Sequence, residues 1–136
     1  HGTRMVKYYG GLVHVMPLYV IIFLFFTLAN IGLPGTSSFV GEFLILAGSF
    51  KTNTSVSFIG ASSMIIGGCY SLWLFNRIAY GNLKTQYIKK FVDLNQREFY
   101  IFLPFFLGTI IMGLYPNIFL NPIHLSVNLL IQLMQF

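Results

Sequence analysis

Acidic side chains are nearly absent from this sequence: Glu42, Asp93 and Glu98 are the three in 136 residues, against eight lysines and arginines. Asp93 and Glu98 fall in a hydrophilic stretch far along the chain from Glu42, so a paired-carboxylate acid and base has no candidate. Cys69 is the single cysteine and lies inside an apolar run. It excludes an internal disulfide and reads as a small buried hydrophobe. His1 and His14 are separated by no cysteine or carboxylate, which favours interfacial or packed histidines over metal ligation. The His and Cys sets needed for haem or iron–sulfur ligation are missing too, as are a G-x-x-x-x-G-K-[ST] phosphate loop and a Ser, His and Asp set in a shared site. The stretch from His1 does not read as a signal or transit peptide, as expected of a chain whose start has been removed or that is a piece, and no internal repeat or low-complexity tract is evident. The basic residues sit between apolar runs without forming a dense stripe, which argues against nucleic acid as a partner.

What is present is apolar surface. Hydrophobic residues make up 56% of the chain, aromatics 18% and charged residues 8%, and the mean hydropathy is +0.76. Such a chain belongs in a bilayer, and the expected fold class is all-α transmembrane with three spans. Residues 1–16 read as a polar approach to the membrane. Residues 17–50 carry no charge except Glu42, although ~20 apolar residues suffice to cross a bilayer. Pro34 lacks a backbone donor, Gly32 and Gly35 relax the chain, and Ser37 or Ser38 is placed to cap a second helix, so this span is expected to be two half-helices meeting at a break. A polar loop from Lys51 to Ser55 closes the element.

Residues 56–80 form the second expected span. Gly60, Ser63, Gly67 and Ser71 recur on one face as a packing surface. Tyr70, Trp73, Arg77 and Tyr80 thicken toward its end as an interfacial anchor, with cofactor stacking as the sharper alternative. Residues 81–98 are a solvated loop, residues 99–116 the third span, and residues 117–136 a turn leading into a short interfacial helix. Arg4, Lys7, Arg77, Lys84, Lys89, Lys90 and Arg97 fall on one side and Lys51 on the other. Seven against one places the long loop on the cytoplasmic or matrix face.

Glu42 is the candidate site residue. A carboxylate at membrane depth costs roughly 2.5 to 3.5 kcal/mol, and Ser or Gln would complement a helix end more cheaply. Broken backbone at that depth must line protein or water, and Asn30, Pro34, Gly35, Thr36, Ser37 and Ser38 are the supporting residues of a proton path through Glu42. The bland alternatives are that Glu42 complements the positive end of the second half-helix or pairs with a basic group, and that Asn30 makes an interhelical hydrogen bond.

The runs Gly10-Gly11-Leu12 and Met16-Pro17, the stretch from Leu28 through Glu42-Phe43, Tyr70-Ser71-Leu72-Trp73 and Gly81-Asn82-Leu83 resemble the carboxy-terminal part of NADH dehydrogenase subunit 4. That family is antiporter-like and proton-pumping, within the membrane arm of respiratory complex I. The resemblance implies the last three helices of a fourteen-helix fold, with the broken helix at residues 17–50 and its pathway carboxylate at Glu42. It also implies the mitochondrial inner membrane, with a bacterial plasma membrane as the alternative. It places flavin, iron–sulfur clusters and quinone elsewhere in the complex, and no cofactor on this chain. The implied partners are the amino-terminal part of subunit 4, the antiporter-like subunits 2 and 5, accessory subunits and lipids. Three spans enclose little room for a solute path, so the sequence is expected to be a piece. A fragment of a multisubunit cation and proton antiporter, or a non-pumping accessory protein, stays open beside this reading.

Overall fold

The structure is a computed structural model that describes residues 5–83 and 92–134, and it is all-helical, with no strand among the described residues. His1 lies outside the described residues, as do Arg4, Lys84, Lys89 and Lys90, which carry much of the charge asymmetry. After two short 3-10 turns, Val6–Tyr8 and Leu12–His14, come five helices: α1 (Pro17–Ile31), α2 (Ser37–Thr52), α3 (Thr54–Ala79), α4 (Gln96–Leu114) and α5 (Asn117–Met134).

Pro17 opens α1 at a position that needs no N–H donor. The helix stops where Gly32 turns left-handed at φ 84°. The Gly32 N–H then bonds to the Ala29 carbonyl at 3.2 Å and the Leu33 N–H to the Leu28 carbonyl at 3.1 Å, a Schellman closure that satisfies the last carbonyls. At ~1.5 Å per residue α1 is about 22 Å long, short of a hydrocarbon core of roughly 30 Å. The break expected at Pro34-Gly35 is present, and α2 continues beyond it.

α3 runs back alongside α1. Phe23 and Phe75 meet with tilted rings at 5.5 Å between centroids, and a Cβ on Gly68 would stand 3.3 Å from Ile31 Cγ2. Leu12, Val20, Phe75 and Ala79 form the buried cluster at one end, where the Gly11 N–H bonds to the Tyr80 carbonyl. The approach segment is thus packed onto α3 through Leu12 and is not simply a polar lead-in. α4 lies beside α1 and parallel to it. Phe25 and Phe106 meet at 4.1 Å and Phe26 and Phe102 at 6.4 Å, and Phe25, Phe102 and Phe106 border an apolar groove of about 410 Å³.

Several expectations are corrected. The polar run 51–55 is not a loop. α2 extends to Thr52 and α3 starts at Thr54, because Asn53 ends one helix with its N–H on Ser49 O and starts the next with its side-chain oxygen on the Ser55 and Val56 N–H groups. Ser57 Oγ donates to Ser49 Oγ at 3.0 Å beneath this link. Asp93 and Glu98 are not merely solvated. Glu98 accepts from the Asn95 N–H to start α4, and Asp93 accepts from the N–H groups of Leu18 and Tyr19 at the start of α1. Residues 117–122 are helical rather than a turn, since Pro116 O accepts from the Phe119 and Leu120 N–H groups and Pro122 is carried inside α5, in its second turn, at the cost of one intrahelical hydrogen bond. Cys69 is exposed on α3 rather than buried.

By length and composition α3, α4 and α5 are each able to cross a membrane. Their outer faces are apolar: Phe58 of α3, Phe105 of α4 and Leu125 of α5 are 78%, 62% and 73% exposed. Water would not tolerate such a surface, so lipid or other helices cover it.

Candidate functional site

Three elements build the site. At the break, Leu33 and Pro34 are exposed, Gly35 holds φ 97°, and Thr36 is extended and buried at 4% exposure. Thr36 gives its hydroxyl back to the Leu33 carbonyl at 2.7 Å and its N–H to the same oxygen at 3.1 Å, which closes the turn. It therefore makes no side-chain cap for α2. Ser37 and Ser38, expected to cap, are the first two residues of α2 itself. The first N–H groups of α2 lack a side-chain acceptor from the residue that precedes them, which leaves donors at the break for water or another helix.

Glu42 lies in the second turn of α2, beyond the reach of a helix-end charge, so complementing that end does not explain it. Its Oε2 is buried and has no hydrogen-bond partner among the described residues. The carboxyl group rests on Gly32: a Cβ built there would collide with Oε2 and stand 3.3 Å from Cδ and 3.7 Å from Oε1. A buried carboxyl oxygen without a partner is costly and is rarely left so without a reason.

Beside it lies a cavity of about 340 Å³, lined by Asn30 and Ile31 of α1, Glu42 of α2, and Ser63, Met64, Gly67, Gly68, Tyr70 and Ser71 of α3. Ser63 and Ser71 donate their hydroxyls to Gly60 O and Gly67 O, both at 2.7 Å, so their oxygens remain free to accept. A water occupies roughly 30 Å³ of liquid volume, so several fit. With its polar lining, the cavity can hold a short hydrogen-bonded chain that ends on a titratable group.

Of the residues singled out in the sequence, Asn30 and Glu42 share this cavity, whereas Pro34, Gly35 and Thr36 shape the turn. Sequence reasoning gave the stripe on α3 to packing alone. In the structure Gly60 does face Leu46 Cδ2 at 3.7 Å, but Ser63, Gly67 and Ser71 line the cavity, and a Cβ on Gly67 would meet open space. Their spacing was the available signal. Gly113 of α4, against the break, was missed, and Gly32, read only as relaxing the turn, also lies under the carboxyl group. Among the described residues no cluster of His, Cys, Asp and Glu is able to hold a metal.

The described residues thus form an all-helical, membrane-type fold with a broken helix, a buried carboxyl oxygen and a polar cavity beside it. The family described as NADH:quinone oxidoreductase/Mrp antiporter, transmembrane, matches residues 1–67, which take in α1, the break, α2 and the first half of α3. NADH-ubiquinone oxidoreductase chain 4 of Marchantia polymorpha is 60% identical over 132 residues, 97% of this chain and 27% of that protein. The protein of the same name from Triticum aestivum is 58% identical over 132 residues, again 97% and 27%. NADH-quinone oxidoreductase subunit M of Rhodobacter capsulatus is 46% identical over 130 residues, 96% and 25%. The chain is a homologue of NADH-ubiquinone oxidoreductase chain 4 and spans about a quarter of the length of the curated relatives it matches.

Proposed function

We propose that this chain is part of the proton-translocating membrane arm of respiratory NADH:ubiquinone oxidoreductase and that Glu42 is the group in it that takes up and releases the proton. The observation that carries the reading is the Glu42 carboxyl oxygen, buried and unpartnered among the described residues, beside a polar cavity at a helix break. A proton delivered by a water of the cavity is held on the carboxyl group. It leaves to a second water on the side of the break, where freed backbone groups and the Thr36, Ser37 and Ser38 region can order it. Asn30, Ser63 and Ser71 orient the waters and do not titrate themselves.

In this reading the chain lies in the mitochondrial inner membrane with residues 1–16 and 81–98 toward the matrix. The proton moves from a central hydrophilic path toward the opposite face. The missing parts of the path come from the amino-terminal part of subunit 4, with the antiporter-like subunits 2 and 5, accessory subunits and lipids around them. Flavin, iron–sulfur clusters and quinone are assigned to other parts of the complex, and the chain itself performs no redox step.

The test is Glu42→Gln, which keeps size and hydrogen bonding but cannot ionise. In assembled complex, verified on a native gel, it should lower both quinone-reductase turnover and the ratio of protons moved per electron. Wild-type values of both would show that the carboxyl group is structural.

A further inference from the structure

The geometry points to Gly32 as a positioning residue for Glu42: the turn that ends α1 is the seat on which the carboxyl group of α2 rests. This rests on the proton-carrying reading of Glu42 and adds a second residue to it. Gly32 meets two demands. Its φ of 84° is a left-handed conformation that side chains rarely adopt, and this alone would suit it to the Schellman closure of α1. The second demand is independent of backbone angle. Any Cβ at position 32 would occupy the place of Glu42 Oε2 and crowd both Cδ and Oε1. Gly35 offers a contrast on the same break, because it is also left-handed, at φ 97°, yet a Cβ there would meet nothing within 4 Å. Of these two turn glycines, Gly32 alone is required by the carboxyl group.

The atom in the way is the far end of a flexible side chain. A side chain at position 32 would therefore push the carboxyl group off its seat rather than unfold the break, and the effect should appear in function before it appears in assembly. Asp at position 42 is one methylene shorter and withdraws the carboxyl group from Gly32, so the two positions should not act additively.

The experiment is a double-mutant cycle in the assembled membrane complex, with Gly32→Ala, Gly32→Asn, Glu42→Asp and Gly32→Ala/Glu42→Asp, reading complex content on a native gel, turnover per assembled complex and its pH profile. Gly32→Ala should cut turnover at least fivefold and displace the pH profile. Gly32→Asn should do the same, although Asn tolerates left-handed backbone. In the Glu42→Asp background, Gly32→Ala should change turnover less than twofold. Equal losses in the two backgrounds, or wild-type turnover for Gly32→Asn, would reduce Gly32 to a helix terminator and overturn the assignment. If Gly32→Ala prevents assembly, the same comparison is made on complex content, where recovery by Glu42→Asp supports the seat and equal loss overturns it. A silent Glu42→Gln would remove the proton-carrying reading while leaving coupling between positions 32 and 42 measurable on content.

Discussion

Gly113 of α4 lies in backbone contact with Gly35. A Cβ on Gly113 would overlap the Gly35 carbonyl group and come within 2.7 Å of the Thr36 carbonyl carbon. Backbone atoms on both sides cannot swing away as a side chain can. α4 therefore braces the break from the face away from the cavity.

Gly113→Ala should accordingly destabilise the packing of α4 on the break by about 1–3 kcal/mol, as overpacking does, and lower the content of assembled complex. Gly108→Ala is the control on the same helix. Its Cβ would make ordinary contact with Met112 Cε at 3.9 Å, and alanine is the better helix former, so assembly should be unchanged or slightly improved. The measurement is complex content and thermal stability for the two variants, and equal behaviour would contradict the brace.

Gly67 and Gly68 offer a second contrast. Gly68→Leu drives a side chain into Ile31, which lies 3.3 Å from the position of a Cβ, and should weaken the α1–α3 contact and assembly. Gly67→Leu meets open space at the cavity instead. It should leave assembly intact while lowering turnover severalfold, by excluding water next to Glu42. Native gels and turnover per assembled complex separate the two outcomes.

Asp93 gives a prediction in pH. Burial pushes its carboxyl group up, but the N–H groups of Leu18, Leu94 and Tyr19 more than offset this and hold it below the ordinary value of 3.8. A carboxyl group with a lowered folded-state pKa stabilises the fold fully above its unfolded value, and that stabilisation is lost as pH falls through the folded one. The staple between residue 93 and α1 should therefore be constant from about pH 7 to pH 5 and fail only below about pH 4. Asp93→Ala should cost about 0.5 kcal/mol, the low end for a helix cap because water reaches the carboxylate. Faster hydrogen exchange confined to the Leu18 and Tyr19 amides at neutral pH is the expected signature, and unchanged exchange there would refute it.

Asn53→Ala removes the acceptor for two N–H groups of α3 and should destabilise by about 1 kcal/mol, whereas Asn53→Asp keeps the cap and should be tolerated. Thermal unfolding of the assembled complex distinguishes them.

The legible parts of the fold were those written in local chemistry. Pro34 between two glycines marked the break, and a lone carboxyl group in an uncharged run marked Glu42. Asn53 was misjudged because five polar residues read as a loop when one of them is able to serve both helices. Pro122 and its neighbouring asparagine read as a turn, although α5 carries the proline in its second turn, as apolar membrane-type helices can. Asp93 binds 75 positions away from itself in the chain, at Leu18, and no local pattern announces such a partner. The reasons for Gly32 and Gly113 are likewise tertiary. A glycine that makes room for a distant group looks the same in sequence as one that frees a turn.

The link at Asn53 bears on how the site can move. With a single residue between α2 and α3, capped on both sides and clasped beneath by the Ser57–Ser49 hydrogen bond, the far end of α2 behaves as a fixed pivot on α3. At the near end, residues 32–36 join α1 through left-handed glycines and a turn closed on Leu33. Any swing that opens or narrows the space beside Glu42 thus has its fulcrum at Asn53 and its throw at the break, and it must carry α4 along through the Gly113 contact. The carboxyl group, in the second turn of α2, rides nearer the throw than the fulcrum and travels with most of the stroke.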